Sequence, residues 1–140
     1  MRALKAGVAY FALVFALGFV FGMARMIAMS RFPFLTRMDA VLLELPVILA
    51  ASWLICAMLI RRLAVREIFE RAIMGAAAFA LLLVAETALG VVLAGETLAG
   101  HFALYREPAH ALGLAGQAVF ALMPLVAGGG PAPSRNRPVR

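Results

Sequence analysis

Four long apolar runs, at residues 7–24, 40–60, 72–94 and 109–127, constrain this chain more than any other feature. Each is close to the roughly 20 residues a helix needs to cross the hydrocarbon of a bilayer. Within lipid every backbone amide and carbonyl must find its partner inside the protein, so runs of this kind are expected as transmembrane helices. Composition agrees. Hydrophobic residues make up 65% of the 140, and the mean hydropathy is +0.99, more apolar surface than a soluble domain of this size could bury. The expected fold is all-α, a membrane-embedded antiparallel four-helix bundle in one domain at 1–127. The segment 128–140, rich in Gly, Pro and Arg, has too little apolar content for a core and is expected as a disordered basic cytoplasmic tail near the anionic inner leaflet.

The run at 7–24 follows Arg2 and Lys5, a pattern shared with signal peptides. Its apolar stretch is longer than a signal core, and Gly22-Met23-Ala24 is a poor cleavage site directly before Arg25, so it reads as a span. Four spans place both termini on one side. That side and the middle loop carry Arg2, Lys5, Arg61, Arg62, Arg66, Arg71, Arg135, Arg137 and Arg140; the other carries Arg25, Arg31, Arg37 and Arg106. The excess of positive charge predicts both termini in the cytoplasm of a bacterial cell, across its inner membrane. The same placement accounts for the net charge of +6 without nucleic acid as a partner. The lipid bilayer is the expected partner, with a homo-oligomer or a larger membrane complex as further ones.

Short connections predict that consecutive helices pack antiparallel. Thr36 and Asp39 have the spacing of a capping box opening the second helix, and Pro108 suits the first turn of the helix over 109–127. Glu67 and Arg71 stand in the favourable order for an i,i+4 ion pair. Trp53, near the middle of its span, reads as interior packing.

Polar residues at bilayer depth are costly and turn toward the protein interior. Arg25, Glu44, Glu86 and Gln117 are the candidates, one on each span. At about 1.5 Å of rise per residue, Glu86 and Gln117 fall within roughly 5 Å of the midplane and Glu44 about 9 Å outward of it. Arg25, at the outer end of its span, reaches back toward them. Together they form a candidate ligand- or proton-binding cluster, or else a structural lock of ion pair and hydrogen bond. Gly18 and Gly22 form a GxxxG pair, expected as a helix-packing face that also directs Arg25 inward. Pro46, two residues after Glu44, removes an amide donor and is expected to kink its helix or free the carbonyl of Leu42 beside the pocket. His101, Tyr105, Arg106 and His110 are expected as an outer lid, with 98–105 lying along the membrane surface. The inner half has no such polar markers and reads as ordinary apolar packing.

Other chemistry finds little support. Cys56 is the only cysteine, which excludes an intrachain disulfide and a CxxC site. Met23, Met26 and Met29 have thioethers suited to Cu(I), but this spacing reads first as packing. His101 and His110 lack a third imidazole for zinc, so no metal and no cofactor is expected. No nucleophile arrangement or phosphate loop is present, and no catalytic residue is assigned.

The elements Arg25, Glu44 to Pro46 with Ser52 and Trp53, Ala85-Glu86, and Gly113 to Gln117 resemble small bacterial integral membrane proteins of four spans. That resemblance covers almost the whole chain and implies no known activity. Small multidrug transporters are similar only in helix number, since their acid lies in the first helix. The vitamin K epoxide reductase family is excluded in mechanism by the missing cysteine pair. The reading favoured is a small-ligand or proton-coupled transport or binding protein. An accessory or assembly subunit of a larger membrane complex is the alternative, and an enzyme ranks last.

Overall fold

The computed structural model describes residues 1–93, 95 and 97–127; the expected tail at 128–140 lies outside the described residues. The described chain is all-α, with helices α1 (Arg2–Arg31), α2 (Arg37–Arg62), α3 (Ile68–Leu93), α4 (Leu98–Leu104) and α5 (Pro108–Ala127). All but α4 are long and apolar enough to span a membrane.

Each boundary has a local cause. The first helix spans 30 residues, about 45 Å at ~1.5 Å per residue, well beyond the hydrocarbon thickness. It stops at Phe32, whose neighbour Pro33 disfavours helical backbone in the residue before it. The capping box opens α2: Asp39 N–H donates to Thr36 Oγ1 at 3.2 Å and Thr36 N–H donates to Asp39 Oδ2 at 3.1 Å. At the other end of α2, Val65 N–H donates back to the Ile60 carbonyl at 3.1 Å across Ala64, which has φ 51°. This is a Schellman closure with alanine in the left-handed position usually held by glycine. It turns Val65, 1% exposed, into the core.

The expected Glu67–Arg71 pair is replaced by other contacts. Arg71 Nε donates to the Val65 carbonyl at 3.3 Å. Glu70 accepts from Arg66 N–H at 3.2 Å and stands 3.6 Å from Arg2. The tight turn brings Val65 within reach of Arg71, and the next acid along caps α3 instead.

The long helices meet in four main pairings: α1 with α3, α2 with α5, α3 with α5, and α1 with α2. Consecutive α2 and α3 are not among them, a departure from the expected pairing of every consecutive helix. Instead α1 and α3 run parallel, Arg2 lying by Glu70 and Gly7 against Met74 and Ala77. The reason is close approach through glycine. A Cβ on Gly7 would stand 2.8 Å from the Met74 carbonyl oxygen, and one on Gly75 would collide with the Ala121 carbonyl beside Pro124. Small residues bring helices together where lipid supplies no hydrophobic drive.

These contacts concentrate at the end holding the N-terminus and the α2–α3 turn, here the terminal end. Tyr10, Val14, Cys56, Leu59, Met74, Ala78, Phe120 and Met123 form one buried cluster there. Its centre is a knot around Pro124. Proline has no N–H, so the Phe120 carbonyl four residues earlier loses its helical donor. The Tyr10 hydroxyl supplies one at 3.2 Å, with Met123 Sδ at 3.4 Å, while its ring stacks on Phe120 at 4.3 Å. The terminal half, expected as ordinary packing, is thus the specific core of the molecule.

Candidate ligand-binding site

Following the inward stripe of α1, and less completely that of α5, away from the terminal end, burial gives way to partial exposure. On α1, buried Tyr10 and Val14 are followed by half-exposed Gly18, Gly22 and Arg25; on α5, buried Phe120 is preceded by half-exposed Gln117, then buried Gly116, then half-exposed Gly113. Glycines report the same change. A Cβ on Gly18 or Gly113 would meet nothing within 4 Å, and one on Gly22 only the Arg25 guanidinium at 3.9 Å. α1 therefore loses its close packing toward the α4 end and leaves a crevice beside it, while α2 and α5 stay in contact there: a Cβ on Gly116 would stand 2.5 Å from Leu45 Cδ1, and Arg37 reaches His110. The GxxxG pair is not a helix-packing face within this chain, because no helix stands close enough to use it.

Four polar side chains lie at this end as two bonded pairs. Arg25 Nη1 lies 2.7 Å from Glu44 Oε2, joining α1 to α2. A cleft of about 190 Å³ opens beside this pair, walled by Ala24, Ala28, Leu35, Ala40 and Leu43. Gln117 Nε2 donates to Glu86 Oε2 at 2.6 Å, joining α5 to α3. The other amide atom, Gln117 Oε1, is sealed from solvent and accepts no hydrogen bond among the described residues. Glu86 is within electrostatic reach of Arg25 and His101, which ties the two pairs into one neighbourhood.

The expected lid residues divide. Thr97 caps α4, accepting from Gly100 N–H at 3.0 Å. From this short helix His101 and Tyr105 meet edge to face at 5.7 Å, while Leu98 and Phe102 are exposed. Partial burial and then the Glu86 carboxylate push the Tyr105 phenol above its ordinary value, since both disfavour a phenolate. His110 instead joins a rim network, with Glu107 Oε2 at 3.1 Å and Arg37 Nη1 at 3.3 Å. Arg106 is exposed.

Two residues sit differently from expectation. Pro46 is exposed, and α2 continues through it as one helix, so its ring does not line the crevice; Leu42, whose carbonyl it frees, also faces outward. Trp53 is exposed rather than interior. In both cases the inward stripe of α2 runs through Ala40, Ser52, Cys56 and Leu59, which turns positions 46 and 53 away. Sequence reasoning missed the Tyr10 knot, although a signal existed: a proline inside an apolar span demands a substitute donor, and Tyr10 is the only tyrosine in a long helix.

No protein-family model matches the chain, and neither does a curated protein or a solved structure.

Proposed function

We propose that this chain is a multi-pass protein of a bacterial inner membrane that binds a small ligand, or couples its movement to protons, in a crevice opening outward. The four long helices would form the membrane-embedded bundle, with both termini cytoplasmic in keeping with the bias in positive charge.

One observation carries the reading: Arg25, Glu44, Glu86 and Gln117, from four different helices, gather as two bonded pairs at the end where α1 loses its close packing. Open space beside α1 at the level of these groups, with a cleft against Arg25 and Glu44, supports a site meant to be reached. Crevice carboxylates can exchange protons with the outer face, and His101 and Tyr105 border Glu86 on that side.

The test is proton uptake by purified protein in liposomes after an acid jump, for wild type and Glu86→Gln. The variant should insert and fold as wild type does, with its proton uptake reduced to background. Equal uptake by both would remove Glu86 from the mechanism, and a variant that fails to accumulate would favour a structural lock. Orientation is tested with a cysteine at Arg106 in a Cys56→Ala background, expected to react with a membrane-impermeant maleimide from outside the cell.

A further inference from the structure

We propose that the crevice takes a small primary ammonium ion, with Glu86 as counter-charge and Gln117 Oε1 as second acceptor. The proposal rests on the reading of the crevice as a binding site and names the class of ligand.

The case begins with charge. Two carboxyls, Glu44 and Glu86, stand here against one guanidinium, and Arg25 is committed to Glu44 at 2.7 Å. With both carboxyls ionised, Glu86 is the carboxylate left without a cation of its own. A single amide N–H from Gln117 is weak compensation for a carboxylate at membrane depth. Beside it Gln117 Oε1 is a buried acceptor without a donor.

One ligand chemistry answers both deficits. A primary ammonium brings a positive charge and three N–H donors, enough for the carboxylate and the amide oxygen together. A carboxylate or phosphate ligand would meet two carboxylates against a single arginine already paired. A neutral alcohol could satisfy the amide oxygen but not the charge. The rings of His101 and Tyr105 add aromatic faces of the kind that attract cations. Gly113, one turn before Gln117, has open space where a side chain would start, leaving room for a short alkyl tail.

Protons compete for the same position. A proton on Glu86 removes the charge and lets the amide of Gln117 turn over to accept from the carboxyl. The groups facing Glu86 are Gln117 on α5, His101 and Tyr105 from α4, Arg25 on α1 and, through Arg25, Glu44 on α2. A proton on Glu86 in acid therefore lowers ammonium affinity, and its loss as pH rises restores it.

The experiment titrates methylammonium chloride, and separately sodium acetate, into wild-type protein in phosphatidylcholine nanodiscs, with calorimetry and infrared spectroscopy as readouts. Expected are saturable methylammonium binding that weakens in acid, no acetate binding, and loss of any protonated-carboxyl band of Glu86 on adding methylammonium. Glu86→Gln and Gln117→Leu should each weaken binding, the former by about tenfold or more. The wild-type comparison of cation with anion does not depend on how the variants fold. Acetate binding without methylammonium binding would overturn the ammonium class and leave a ligand site standing. Proton uptake at Glu86 without either ligand would overturn it and leave proton coupling. Absence of all three would sink both this proposal and the reading beneath it.

Discussion

Gly75 and Gly18 both lie on inward-facing stripes of spanning helices, yet one has no room for a methyl group and the other has nothing near it. The two positions summarise the halves of the molecule. At the terminal end, small residues let backbones touch, a tyrosine repairs the carbonyl that Pro124 leaves unpaired, and apolar side chains close the space. At the α4 end α1 loses its close packing while α2 and α5 stay in contact through Leu45 and Gly116, and the side chains there include an ion pair, a carboxylate with its amide and two aromatic rings. Tight packing at one end is what allows the other to stay open. A crevice in a small helical protein needs a rigid anchor, and polar residues can then remain where water or a ligand reaches them.

The sharpest way to break this contrast is to fill the two glycines. Gly75→Ala should cost about 2–3 kcal/mol, because the obstacle is the Ala121 backbone, which cannot rotate away. Gly18→Ala should cost nothing and add up to about 1 kcal/mol from helix propensity. Reversible unfolding in mixed detergent micelles measures both, and equal losses would mean that the crevice is not open.

A smaller effect is expected at the ion pair. Arg25→Leu leaves Glu44 uncompensated and should destabilise by about 1–2 kcal/mol, less than for a fully buried pair because the Arg25 side chain is 32% exposed. Arg25→Leu with Glu44→Leu should recover most of that loss. A double variant as unstable as the single one would show that the pair holds the open half together.

Within the tight half, Tyr10→Phe keeps the ring stack and removes only the donor to the Phe120 carbonyl, for an expected loss of about 1 kcal/mol. The loss should shrink in a Pro124→Ala background, where the helix regains its own amide donor. Additive effects in that cycle would separate the tyrosine from the proline. The smallest change is at the turn: Ala64→Gly relieves a left-handed alanine and should stabilise by up to about 1 kcal/mol, seen as a rise in unfolding midpoint.

Much of the candidate site was legible before any coordinates. Arg25, Glu44, Glu86 and Gln117 stand out because charge and amide are rare in such spans, and the expense of each predicts a partner. Which partner each would choose was not legible, since that depends on how α1 and α3 come to lie side by side. The GxxxG pair shows the limit of motif reading: the pattern states that an approach is sterically allowed, whereas only the partner's position decides whether it happens. Pro46 and Pro124 show the same limit. Both remove an amide, but Pro124 is buried against Gly75 with Tyr10 at hand, and Pro46 faces outward.

The sequence by itself determined the four apolar helices, the capping box at Thr36 and the residues too polar for lipid. These follow from local chemistry: run length, hydrogen-bond demand and the cost of moving charge into hydrocarbon. The tertiary structure alone decided that the long helices close at the terminal end and that α1 loses this close packing toward the other. That outcome depends on contacts between residues far apart in the chain, Gly7 with Met74, Gly75 with Ala121 and Tyr10 with Phe120, and no local pattern specifies them.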